Sequence, residues 1–161
     1  MRQRLAIGLV ALLVLAVGAA VTATAYPAGA EDRDHEFAAG VVRLSGSQEV
    51  PPADPDGRGT FAYIAVEDVL CYAMTARNID PPIAAHIHVA PAGVNGPIVV
   101  ALQLPDPFAA DCIRAEPDES LNSPDVLTQG ELDAIIANPA GYYTNVHTAP
   151  FPGGAIRGQL R

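Results

Sequence analysis

The sequence predicts an all-β domain, a Greek-key β-sandwich of about seven to eight strands with one short inserted helix. Three observations carry that expectation. From Val41 onward the chain is a series of short β-prone runs; 15 prolines and 14 glycines, many of them between those runs, punctuate the chain; and a single segment shows helical spacing. The runs are Val41 to Leu44, Phe61 to Val66, Leu70 to Ala76, Ala84 to Val89, Ile98 to Leu102, Tyr142 to Thr148 and Ala155 to Leu160. Glu67-Asp68 is a connection of hairpin length between the second and third. The helical segment is Thr128 to Ala137, where Leu132, Ile135 and Ile136 fall on one side. Thr128 with Glu131 is the capping-box pattern, in which each side chain bonds the other's free backbone N–H, and Asn138-Pro139 stops the helix. The Pro-, Asp- and Glu-bearing stretch from Pro105 to Asp125 lacks periodicity and reads as a long surface loop pinned by Cys112.

The first 25 residues have a different character. Arg2 and Arg4 precede an uncharged, mostly apolar run from Leu5 to Ala25 that ends in small residues, the layout of a secretory signal. Ala23-Thr24-Ala25 and Ala28-Gly29-Ala30 both offer cleavage sites, and the run is also as long as the roughly 20 residues that span a bilayer, so an uncleaved N-terminal anchor is the alternative. The organisation expected is a signal at 1–25, a small-residue and charged flexible lead-in at 26–40, and one domain at 41–161. Such a protein is secreted or held in the cell envelope.

Charge narrows the partners. Beyond the signal, seven arginines stand against all eighteen carboxylates, a formal balance of −11, and there is no lysine. A surface of that sign repels phosphate backbones and anionic headgroups, which excludes nucleic acid and leaves the membrane only as the place of an uncleaved anchor. The expected partner is another protein or a surface of unspecified kind. Cys71 and Cys112 both follow the signal, and an even number in an oxidising compartment reads most simply as a disulfide; thiolate ligation of a metal is the weaker alternative, because the two form no CxxC.

One constellation carries chemistry. In Ala84-Ala85-His86-Ile87-His88-Val89, strand alternation sends His86 and His88 to one face and Ala85, Ile87 and Val89 to the other, which the apolar set makes the core side. In the later run Tyr143, Asn145 and His147 share a face. If the two strands are neighbours, His86, His88 and His147 form a three-imidazole site, a donor set that suits copper or zinc better than the oxygen-seeking calcium or magnesium. The bland reading is that these are surface histidines bonded to nearby loops, and Asn145 reads as a structural hydrogen bonder. His35 sits in the lead-in and reads as solvated. No GxSxG elbow accompanies Ser45 or Ser47, and the acid pairs Asp54/Asp56 and Asp118/Glu119 lie in turn-rich stretches, so no hydrolase is indicated and no catalytic residue is assigned.

Five ordered motifs carry a family resemblance. LSGSQEVPP at 44–52, AHIH at 85–88, NGPIVV at 95–100, YTNVHT at 143–148 and GGAIRGQL at 153–160 together resemble the CHRD domain, named for the extracellular growth-factor antagonist chordin and found also in exported microbial proteins. The resemblance spans about Val41 to Arg161 and implies a secreted β-sandwich, of immunoglobulin-like or superoxide-dismutase-like form, with a binding or structural role rather than an enzymatic one. A single copy without cysteine-rich modules does not imply growth-factor antagonism. The motifs also single out Glu49, Asn145 and Arg157 as structural, with Glu49 paired to Arg157 as the contact to seek. The HxH strand followed much later by a histidine is similar to the copper-site layout of Cu/Zn superoxide dismutase, a Greek-key sandwich, but the dense His/Asp run of a neighbouring zinc site is missing.

Overall fold

The computed structural model describes residues 36–161, so the signal at 1–25, most of the lead-in and His35 lie outside the described residues. Within them eight strands form one continuous antiparallel sheet: β1 (Phe37–Ser45), β2 (Arg58–Val66), β3 (Val69–Arg77), β4 (Pro82–Val89), β5 (Ile98–Ala101), β6 (Phe108–Arg114), β7 (Tyr142–Thr148) and β8 (Ile156–Gln159). Their order across the sheet is β5-β4-β7-β8-β1-β2-β3-β6. The all-β class and the count of eight agree with the sequence; the ladder, however, is a single sheet, where the sequence reading has two facing ones.

That sheet curls. Tyr72 on β3 accepts a 2.7 Å hydrogen bond at its hydroxyl from the backbone N–H of Gln103, just beyond β5. β3 and β5 are six strand spacings apart in the ladder, about 29 Å if the sheet were flat. The contact exists because the sheet bends into a half-barrel, and Val99, Val100, Leu70 and Tyr72 consequently share one core. Phe61, which stacks on Tyr63 and Tyr72, Leu44, Met74, Ile87, Val146 and Ile156 fill the concave side. Helix α1 (Gln129–Ala137) adds Leu132, Ile135 and Ile136 to it, and its capping box is formed as Thr128 and Glu131 predict.

Two local expectations need correction. The stretch read as a long surface loop contains a strand, β6, which pairs with β3 over seven residues and sets Cys112 directly opposite Cys71. Its sequence, FAADCIR, hides that role because β6 is an edge strand with Ala109 as its single buried side chain, so no apolar alternation marks it. β1 also starts four residues before the run that the sequence singles out. Ala38-Ala39-Gly40 has little β propensity of its own; with Phe37 it is extended because it completes the ladder with Tyr63 to Val66, and Gly40 admits the Arg161 carbonyl where a Cβ would stand 2.7 Å away. Pro51 and Pro52 lie outside the ladder, to which neither could donate a backbone N–H.

Candidate metal centre

β4 and β7 are adjacent, in the register His86↔Asn145, Ala84↔His147 and His88↔Tyr143. Their inward side chains, Ala85, Ile87 and Val146, are in the core, so His86, His88, Asn145 and His147 project from the outer face. On most sheets that face meets water. Here every residue of β7 is buried, because loops from three places fold over it. They are the segment around Glu49, the β4–β5 connection at 90–97, and the β7–β8 connection at 149–155.

The three imidazoles converge. Ring centroids are 4.9 Å apart for His86 and His147, 5.4 Å for His86 and His88, and 6.3 Å for His88 and His147. One nitrogen of each lies within 4.8 Å of the others, the arrangement that the alternation of both strands predicts. Val89, the last residue of β4, departs from the expectation in burial: it is 40% exposed, although it continues the register with β7 opposite Tyr142.

The hydrogen bonds fix which nitrogen faces which way. Nδ1 of His88 is 3.0 Å from the Gly96 carbonyl, and Nδ1 of His147 is 2.9 Å from the Pro152 carbonyl. Carbonyls only accept, so both Nδ1 atoms carry the proton and both Nε2 atoms present lone pairs in the neutral ring. Those lone pairs meet at Asn145 Oδ1, at 3.1 and 3.0 Å. His86 Nδ1 stands 3.1 Å from His147 Nε2. Three acceptors thus crowd one spot, with the His86 ring proton as the one donor close by. A cation placed among them would relieve that crowding; so would turning the Asn145 amide over, which aims its two N–H groups at the rings.

Burial keeps the rings neutral. Desolvation lowers all three histidine pKa values, and at His86, where the neighbouring His147 and His88 add to it, the result is about 4. Asp125 acts in the opposite direction at His86, the half-buried member through which the cluster is reached from solvent. Glu49 is the acid of the site. It is 5% exposed, and burial pushes its carboxyl up to about 7 against the opposing effects of the Arg157 charge and a hydrogen bond with Asn145. Its Oε1 has no hydrogen-bond partner.

Arg157 and Glu49, the contact that the family motifs single out, act on each other through their charges, while the hydrogen bonds of the arginine go elsewhere. Buried to 1% exposure, its guanidinium donates to the carbonyls of Val94 (2.9 Å) and Pro91 (3.1 Å) and to Gln159 Oε1 (3.2 Å). It lies 3.4 Å from the centroid of Tyr143, whose other neighbour is His88, stacked at 4.7 Å with planes 2° apart. Arg157 therefore orients His88 twice, through the aromatic stack and through the loop that supplies Gly96. Gly96 permits this approach, since a Cβ there would stand 1.9 Å from the Val89 carbonyl. Gly154, at φ 129°, is required for the same kind of reason: its Cβ would be 2.3 Å from Glu49 Oε1. Sequence reading missed Tyr143, Gly96 and Pro152 as parts of the site. Tyr143 alternates with Asn145 and His147 and was legible by parity; the carbonyls of Gly96 and Pro152 have no sequence signal.

Cys71 and Cys112 are bonded to each other, at the opposite end of the sheet from the histidines. Among the described residues no helix is long and apolar enough to cross a membrane. The family model for the CHRD domain matches residues 41–160. No curated protein and no solved structure matches the chain.

Proposed function

The chain belongs to the CHRD domain family, and from that premise we propose that it is an exported binding domain that holds one copper or zinc ion between His86, His88 and His147. The observation that carries this reading is the convergence of unprotonated nitrogens on Asn145 Oδ1. Two of the rings are locked by Gly96 and Pro152 carbonyls with Nε2 inward, the outer-shell arrangement by which metal-binding histidines are oriented. His86 would contribute Nδ1, and His88 and His147 Nε2, held inward by the bonds that their Nδ1–H groups donate to the Gly96 and Pro152 carbonyls. A disulfide in the same domain is consistent with an extracytoplasmic setting.

A second reading is favoured by the same contacts: each of the three rings already has a protein partner, so the cluster can serve as a polar brace that pins two loops to the sheet. Metal titration separates the two. Protein recovered from an oxidising compartment, stripped with chelator and titrated at neutral pH, is expected to take up one equivalent of Cu(II) or Zn(II). His88→Ala should weaken binding by more than the 10- to 100-fold typical of an outer-shell change, and His35→Ala should leave it unchanged. Absence of a saturable site leaves the brace as the role of the cluster. Superoxide consumption by the copper-loaded protein is the assay that would move the site from binding to redox chemistry.

A further inference from the structure

Asn145 sits where the three imidazoles meet. On the outer face it is directly opposite His86 in the β4–β7 ladder, diagonal to His88 and two residues before His147, so one short side chain lies among all three rings. We infer that Asn145 Oδ1 is the fourth ligand of the ion, completing a set of three nitrogens and one oxygen. The inference rests on the three-histidine reading and adds to it an atom which that reading leaves unused. Oδ1 is 3.1 Å from His88 Nε2 and 3.0 Å from His147 Nε2, which in turn is 3.1 Å from His86 Nδ1. Two ligands that share one ion through bonds of about 2.0–2.1 Å stand about 2.9 Å apart at a right angle and about 3.4 Å apart at a tetrahedral one. All three separations fall in that interval.

A hydrogen bond has the same length, so the protons decide. The Nδ1–H groups of His88 and His147 are spent on the Gly96 and Pro152 carbonyls, which leaves lone pairs at both Nε2 atoms, and an amide oxygen has no proton to give. At 1% exposure Asn145 is also out of reach of bulk water. A cation lets two lone pairs and a carbonyl oxygen point at one place. Turning the amide over is the other relief, and Glu49 opposes it. The Asn145 side chain is hydrogen-bonded to the Glu49 carboxyl, and an ionised carboxylate only accepts. The amide therefore gives its N–H to Glu49 and keeps Oδ1 on the rings; turned over, it would set Oδ1 against the carboxylate. Gly154 makes room for this acid, since a Cβ there would stand 2.3 Å from Glu49 Oε1. Glu49 is thus a positioning residue behind the fourth ligand. A neutral amide suits position 145 for the same reason, because a carboxylate there would face a second one at Glu49.

Cu(II) is the probe, because it heads the affinity order of the divalent series and its electron paramagnetic resonance spectrum reports the bound atoms. The exported chain, stripped with chelator and given one equivalent of Cu(II) at about pH 8, is expected to show the superhyperfine pattern of three nitrogens. Asn145→Ala vacates one position, so g∥ should shift, affinity should fall at least about tenfold, and added imidazole should raise the nitrogen count to four. The wild type, its position filled, should not take up the imidazole. Asn145→Asp keeps the shape and charges the oxygen, and should bind Cu(II) at least about tenfold more tightly. An Asn145→Ala spectrum with the wild-type g∥ and no imidazole uptake overturns the inference even if affinity drops, since the residue then acts through the fold; the three-histidine site stands in that case. Should Asn145→Ala not fold, an Asn145→Asp chain with wild-type affinity and g∥ overturns it equally. A wild type that takes up no Cu(II), or a His88→Ala variant that still shows three nitrogens, overturns the three-histidine reading and the inference with it.

Discussion

The outer face of one curled sheet is used in two opposite ways. Over β4-β7-β8 it is polar and covered: His88 and His147 are at most 9% exposed, Asn145 and Arg157 1%, and every one of these side chains has a hydrogen-bond partner. Over β1-β2-β3-β6 it is apolar and uncovered by other described residues, with Phe37, Phe108 and Val41 the most exposed large hydrophobics among them. Composition alone predicts the reverse, polar side chains outward to water and apolar ones beneath cover. The inversion has a physical cause on the polar side, since histidines and an arginine taken out of water need a fixed set of partners, and the 90–97 and 149–155 loops supply the carbonyls. On the apolar side nothing among the described residues performs the equivalent service. That difference is why the first half, and not the second, reads as a site for an ion.

The largest expected effect separates the halves by stability. The Cys71–Cys112 bond ties the edge strand β6 to β3 in the bare half and closes a loop with a sequence separation of 41. Replacing both cysteines by Ala should lower unfolding free energy by about 3–4 kcal/mol on the chain-entropy model, read from urea denaturation. Metal affinity should not change, because the histidines lie on strands at the other end of the ladder. A large loss of affinity in the folded double variant would show that the two halves are not independent.

A smaller effect is expected from Arg157→Lys, and it sharpens the covered half. Lysine keeps the charge but has no planar fork to bond Val94 and Pro91 together while lying flat on Tyr143. The loss should be about 1–2 kcal/mol in stability, with metal affinity falling roughly tenfold through the looser His88. Val41→Ser in the bare half should cost well under about 1 kcal/mol, as exposed changes do. If Arg157→Lys leaves affinity unchanged, the stack holds the loop and not the ring.

Much of the covered half was legible because alternation is local. His86 and His88 share a face whatever the strand pairs with, and Tyr143, Asn145 and His147 do likewise, so adjacency of two strands was the single unknown. What stayed hidden depends on contacts distant in sequence. Nothing in Glu49 or Arg157 says that the arginine turns to carbonyls of the 90–97 loop rather than to the acid. β6 escaped for the converse reason: an edge strand with one buried residue has no pattern to read. The curl of the sheet, too, follows from closure between Tyr72 and Gln103, whose partnership no window of sequence contains. The bare half was visible only in retrospect, since Ala62, Ala73 and Ala110 look like core residues until the register puts them outside.

The smallest effect is a pH dependence, and its sign distinguishes the covered half from an ordinary histidine surface. A solvated histidine titrates near 6.5, so a metal site built from such groups loses affinity as soon as pH drops below that value. Burial holds His86 at about 4 and lowers His88 and His147 as well. Protons therefore compete less, and the fall in affinity should be centred well below pH 6.5. Folding stability of the metal-free protein follows the same groups. Between about pH 6.5 and 4 the unfolded chain binds protons that the folded His86 refuses, so this contribution is present above 6.5 and is lost as pH falls through 4. Glu49 works the other way: with its folded value raised to about 7 from 4.5, its contribution is full below 4.5 and lost as pH rises through 7. The two oppose each other across the shared window, which should leave the wild-type profile shallow there. Glu49→Gln removes one side of the balance, and the variant's urea midpoint should then rise steadily from pH 4.5 to 6.5. A variant profile as flat as the wild type's would mean that the histidines are solvated, and the covered half would lose its distinction from the bare one.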